Sequence, residues 1–280
     1  MAKGKKKPAS AKAREQARAA ARAEAERLKA AQAAKERRNR LLVLAGGLAV
    51  VVAVAVIVIA VTMSQKGDAF ADLPATPAGA QENGGILLGT DLAPGGPAPE
   101  GNDVVTVAIY TDFMCPWCGN FEKQYDQELS NLAQNGQIQL EYHIVALQDS
   151  QENAERFSTR AAIAAAAVAK HDPANFLPFV RAMFDDQPTE GQDSRSDEEI
   201  AATAEGAGVN EGALAALTNT DFEAWVNFTN EQFFKVGVST TPTIMMALGS
   251  GERMVFTDYS TIGFEQAVAN VRNGSSPSGQ

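Results

Sequence analysis

Cysteine is nearly absent from this chain, with Cys115 and Cys118 the only two in 280 residues. That scarcity excludes a small disulfide-stapled scaffold, which needs several well-separated pairs. Histidine is equally scarce: His143 and His171 are the only two, and neither stands at ligand spacing from the cysteines. A tetrahedral zinc site needs four ligands, so no metal is expected and both histidines read as structural. Aromatic residues make up 7% of the chain, and none accompanies its basic segment. A basic stretch without aromatics gives no reason to expect a nucleic-acid partner. No internal repeat is visible.

Positive charge is also missing from most of the chain. Fourteen of the 24 Lys and Arg fall in residues 1–40 against four Glu, so that segment carries +10 and the remainder −20. A basic head on an acidic body is not one continuous globule. The head is rich in Ala, Arg, Glu, Gln and Lys, all good helix formers, yet Leu28 is its one large apolar residue. It cannot bury a face, and a solvated topology signal is expected, with binding to anionic lipid as a further role.

Between head and body, residues 41–63 (LLVLAGGLAVVVAVAVIVIAVTM) contain no charge. At helical rise these residues reach about 34 Å, enough for a hydrocarbon core of about 30 Å. A transmembrane helix is expected there. Lys35, Arg37, Arg38 and Arg40 precede the run and only Lys66 closely follows it, so the N-terminus is expected in the cytoplasm and the body outside it. Ala69-Phe70-Ala71 resembles a signal-peptidase site, but a long basic leader and a long apolar run favour an uncleaved single-pass anchor in the cell membrane.

Residues 64–83, rich in Pro, Gly and Ala, are expected to form an extracytoplasmic linker. Residues 84–272 then form one domain, and 273–280 a flexible Gly/Ser tail. Gly85-Ile86-Leu87-Leu88 reads as an edge strand, VVTVAIY at 104–110 as a buried strand, and residues 116–134 as a helix stopped by Asn135-Gly136. Residues 138–147 alternate as a second long strand. Helical patterns fill about 152–236, including a Ser196/Glu199 capping box and an aromatic stripe in which Trp225 reads as core. Two strands near 243–248 and 253–257 and a helix at 262–272 complete an α/β fold.

The two cysteines enclose two residues, Pro116 and Trp117. A bridge that closes so small a loop removes little chain entropy, so a purely structural disulfide explains nothing. Redox chemistry does. At a strand-to-helix junction Cys115 stands at the helix N-terminus, where free N–H groups and the dipole favour a thiolate. Cys115 is therefore expected to be the exposed nucleophile and Cys118 the more buried resolving thiol.

The run Thr111-Asp112-Phe113-Met114-Cys115-Pro116-Trp117-Cys118 resembles the active site of DsbA-like thiol–disulfide oxidoreductases of the thioredoxin superfamily. Gly237-Val238-Ser239-Thr240-Thr241-Pro242-Thr243 resembles the loop in which such proteins carry a cis-proline facing the cysteines. The resemblance implies a thioredoxin-like fold with a helical insertion, a cis Pro242, and a Thr241 that offers backbone groups to a client. It also implies that the Cys115–Cys118 disulfide is itself the redox group, with no other cofactor. Ile109 stands where many relatives carry a buried carboxylate, and Trp117 where the best-known DsbA motif has His, so no proton relay is assigned. An oxidase of reduced or unfolded exported proteins, reoxidised by a quinone-linked membrane thiol oxidase, is the implied role. A reductase or isomerase on the same fold, and a thiol-based copper or client carrier, are the alternatives.

Overall fold

The computed structural model describes residues 69–101, 103–149, 155–188 and 195–279. The basic segment 1–40 and the apolar run 41–63 lie outside the described residues. Among those described, no helix is long and apolar enough to cross a membrane.

Five strands form one sheet in the order β1-β3-β2-β4-β5. The two central ones, β2 (Val105–Thr111) and β3 (Ile138–Ile144), run parallel, in register from Val105↔Ile138 to Thr111↔Ile144. Their crossover is helix α1 (Pro116–Gln134), so strand, cysteine motif, helix and strand form one β-α-β unit. Strand β1 (Ile86–Leu87) closes one edge against β3, and β4 (Thr243–Leu248) with β5 (Met254–Val255) extend the other edge, all antiparallel. Alternation sends Val105, Val107 and Ile109 into the main core, while Ala108 and Tyr110 join Val145, Met245 and Phe233 in a smaller cluster.

Between β3 and β4 lies the helical insertion. Its axis is α2 (Phe157–His171), where every residue from Ala161 to Ala169 is buried. A helix that is apolar all round must be covered on all sides, and the alanines let its neighbours approach closely. Around it stand α3 (Phe176–Asp185), α4 (Asp197–Gly206), α5 (Glu211–Leu214) and α6 (Glu223–Lys235). The expected capping box opens α4: Glu199 N–H donates to Ser196 Oγ at 3.2 Å, and Ser196 N–H to Glu199 Oε2 at 2.8 Å. Trp225 is buried, as expected. After β5, the short α7 (Tyr259–Ile262) and then α8 (Phe264–Arg272) return to the sheet.

His143 behaves as a structural group. His143 is buried, stacks on Tyr110 at 4.0 Å, and meets Glu141 at 2.5 Å. Arg253 donates to the other Glu141 oxygen at 2.7 Å. Burial pushes the Glu141 carboxyl up, but His143 and Arg253 together hold it down at about 2.

Two expectations need correction. From residue 70 the supposed linker is part of the domain: Phe70 lies 6.2 Å from the Trp225 ring and 5.9 Å from that of Phe228, and Leu73, Ala75 and Ala80 also pack on the core. The Pro and Gly residues there build turns rather than a spacer, bringing Gly79 C=O back to Leu87 N–H at 2.9 Å. Nor is the tail loose. Pro277 is buried, its carbonyl accepts from Asn270 Nδ2 at 2.9 Å, and Ser278 Oγ donates to Asp258 at 2.6 Å.

Candidate active site

Strand β2 delivers the chain to Thr111, and a tight turn, with Cys115 N–H donating to Asp112 C=O at 3.0 Å, swings it into α1. Cys115 is the N-cap, with extended backbone (φ −78°, ψ 114°), and Pro116 occupies the first helical turn. Proline suits that place because its φ is already helical and its missing N–H is not needed there. Cys115 C=O starts the helix by accepting from Cys118 N–H at 3.0 Å and Gly119 N–H at 3.3 Å.

Both cysteines are free thiols, and both are buried. The expectation of an exposed Cys115 is corrected: it is 2% exposed, whereas Trp117 beside it is 72% exposed. The cover comes from the loop before β4, where the Thr241 carbonyl accepts from the Cys115 thiol at 3.2 Å. The Thr241–Pro242 bond is cis. Residues 126 positions apart in the chain thus meet at the sulfur.

The two thiols are electrostatically unequal. A hydrogen bond from Cys118 is the main stabiliser of a Cys115 thiolate; burial opposes it, while the Thr241 side chain and the N–H groups of Cys118 and Trp117 add to it. Cys115 is held down at about 6. Burial, and then the neighbouring Cys115, push Cys118 far above the ordinary thiol range. One sulfur is therefore a thiolate near neutral pH and the other keeps its proton. This is the arrangement that exchange through a mixed disulfide requires of a nucleophile and its resolving partner.

Asp112 organises the surrounding loops, a role that sequence reading missed. Its Oδ1 accepts from Met114 N–H at 2.8 Å and Ser158 Oγ at 2.7 Å, and its Oδ2 from Leu147 N–H at 2.7 Å and Gln148 N–H at 3.0 Å. Burial raises its pKa and these four donors oppose the rise. The turn before Cys115, the end of β3 and the start of α2 are tied to one carboxylate. β3 ends at Ile144, short of the expected 147, because Ala146 N–H turns to Asn230 Oδ1 and the N–H groups of Leu147 and Gln148 to Asp112 instead of to a strand. An Asp immediately after a strand gives no hint of partners 35 or 46 positions away.

Glu122 is fully buried on α1, and Tyr142 Oη donates to it at 2.9 Å. Burial and, less strongly, Asp126 push its carboxyl up to about 8, against the Tyr142 hydrogen bond and Arg181.

A cavity of about 340 Å³ opens beside Cys115, lined by Pro116, Trp117, Leu147, Gln148 and the 239–241 loop. Its walls are the Asp112-tethered loop and the cis-proline loop. Trp117 also borders a larger hollow of about 530 Å³ with Phe121, Tyr125 and Tyr259. Phe234 and Val236 are exposed on the segment leading into the cis-proline loop.

Residues 100–249 match a family model described as thioredoxin. The serine/threonine-protein kinase PknE of Mycobacterium tuberculosis is 31% identical over 139 residues, which make up 48% of this chain and 23% of the kinase. The chain thus spans about a quarter of the length of the curated relatives it matches. Among solved structures, oxidised DsbA of M. tuberculosis superposes with a TM-score of 0.51 at 24% identity, over 69% of this chain and 100% of that one. Oxidised BdbD of Bacillus subtilis gives 0.54 at 18% identity, over 71% and 99%. At these identities the likeness is one of fold: a thioredoxin-like sheet with a helical insertion.

Proposed function

Because the chain belongs to the thioredoxin family and has the fold of its DsbA-like members, we propose that it is a protein thiol–disulfide oxidoreductase working as an oxidase. The observation that carries this reading is that the CPWC pair stands at the N-cap of α1, with the Cys115 thiol meeting the Thr241 carbonyl of the cis-proline loop at 3.2 Å.

In the proposed cycle a client thiolate attacks Cys115 Sγ of the Cys115–Cys118 disulfide. The S–S bond breaks, and Cys118 leaves and takes a proton. A second client thiolate then attacks the client sulfur of the mixed disulfide and expels Cys115 as a thiolate. Two electrons pass from client to enzyme, the client gains one disulfide, and no further cofactor takes part. Stabilising the departing Cys115 thiolate favours the reduced enzyme and so makes it a stronger oxidant. Thr241 and Pro242 hold the client chain alongside, with Pro116 and Trp117 forming the near wall of the cavity.

Clients are reduced or unfolded exported proteins, and turnover needs a reoxidising partner in the membrane, a quinone-linked thiol oxidase. In this reading the apolar run 41–63 anchors the chain, the basic head stays cytoplasmic, and the domain works outside the cytoplasm. The charge asymmetry across that run supports the placement.

The test is the Cys115–Cys118 reduction potential against glutathione, paired with disulfide transfer to a reduced, unfolded client. The expected potential lies toward the DsbA end of the scale, about −120 mV, rather than the thioredoxin end, about −270 mV. Cys118→Ser should trap a client on Cys115. A potential near the thioredoxin end without client oxidation overturns the oxidase reading in favour of a reductase.

A further inference from the structure

Gln187 follows α3 and comes from the helical insertion, yet its side chain reaches the cysteine motif. The two N–H bonds of its amide donate to Phe113 C=O and Cys115 C=O, each at 2.8 Å. These carbonyls bracket the turn that Asp112 holds through Met114 N–H. The turn is therefore pinned by a carboxylate and by a carboxamide, each contributed by a different part of the chain. Cys115 C=O is also the acceptor that starts α1, so Gln187 donates to the same oxygen as the Cys118 and Gly119 N–H groups, one peptide away from the N–H groups of Trp117 and Cys118 that favour the thiolate.

Gly119, one position after Cys118, explains how the amide fits. A Cβ added there would lie 2.4 Å from Gln187 Oε1, with its next neighbours at 3.3 Å and beyond. A side chain there would make the amide oxygen shift from the position it holds. A glycine inside a helix is otherwise unfavourable, so its presence in the first turns of α1 is accounted for by this close approach.

We propose that Gln187 is a positioning residue for Cys115, bridging the helical insertion to the redox turn, and that Gly119 makes room for it. The bridge keeps the first N–H groups of α1 aimed at the sulfur and so favours the thiolate. The inference rests on the site described above but not on the direction of electron flow, because it concerns the ionisation of Cys115 itself.

The experiment titrates the Cys115 thiolate by its ultraviolet absorbance in the reduced protein and measures the glutathione exchange constant. It compares wild type with Gln187→Ala, Gln187→Glu, Gly119→Ala and the Gly119→Ala/Gln187→Ala double variant. Both alanine variants should raise the Cys115 pKa and shift the exchange constant toward the disulfide by about threefold to tenfold, at most about 30 mV. Gln187→Glu, which loses both donors and adds negative charge, should move both further in the same direction. The double variant should match the single ones, since both remove one interaction. Gly119→Ala improves helix propensity, so its thermal stability should hold or rise while its redox properties move, which a merely structural contact would not give. If Gln187→Ala fails to fold, Gly119→Ala decides alone. An unchanged Cys115 titration in Gly119→Ala, or strictly additive effects in the double variant, overturns the proposal. Failure of the wild type to oxidise a client, with these shifts intact, would sink the oxidase reading and support this one.

Discussion

The Cys115 thiol ties the stability of the reduced protein to pH. Folded Cys115 is held at about 6, below the ordinary thiol range, so its ionisation stabilises the fold. The contribution is complete above the unfolded pKa, about 8.5, and disappears as pH falls through 6. Denaturant unfolding should therefore show the reduced protein gaining stability across that window relative to Cys115→Ser, by at most about 1.4 kcal/mol per pH unit. A difference between the two that does not change with pH would remove Cys115 as its source. Asp112 makes a different kind of contribution, four hydrogen bonds from three parts of the chain. Asp112→Asn replaces one acceptor oxygen with a donor, leaving buried N–H groups at Leu147 and Gln148 or at Met114 unsatisfied. A loss of about 2–3 kcal/mol in thermal or denaturant unfolding is expected. Neither Asp112 nor Gln187 was legible as a site residue. The cysteines and Pro242 announce themselves by residue type and spacing, whereas an Asp or Gln acts through partners that only the folded chain brings near.

Among the elements, α1 and β3 share a buried acid. Glu122, on α1, carries a carboxyl raised to about 8 and hydrogen-bonded to Tyr142 of β3. The sign is opposite to that of Cys115. Stability is full below the unfolded carboxyl value of about 4.3 and is lost as pH rises through 8. Glu122→Gln should flatten that decline while keeping an acceptor for Tyr142, and unfolding of the oxidised protein across this range would show it. A decline of unchanged slope in the variant would remove Glu122 as its source. The elements themselves were largely legible. β2 is a run of β-branched and apolar residues, α1 starts at Pro116 and stops at Asn135-Gly136, and α4 has its capping box, each a local signal. Ends set by distant groups were not: β3 stops where the amides that follow turn to Asn230 and then to Asp112.

At the scale of the whole molecule, the domain begins earlier and ends later than its composition suggests. Proline and glycine mark both turns and spacers, and only packing tells them apart. Phe70 lies against Trp225 and Phe228, so Phe70→Ala should cost about 1–3 kcal/mol, less than a fully buried phenylalanine because the ring is half-exposed. A domain truncated after residue 75 should unfold at lower temperature than one that starts before Phe70, and equal melting would return this stretch to the linker. The two tryptophans are differently placed, Trp225 buried in the helical insertion and Trp117 on the surface between the two sulfurs in sequence. Disulfides quench nearby indole emission and free thiols do so far less. The chain thus carries its own optical gauge: Trp117 brightens on reduction while Trp225 holds a steady background. Turnover with unlabelled clients can then be followed in real time, and Trp117→Phe should silence the signal without removing either cysteine.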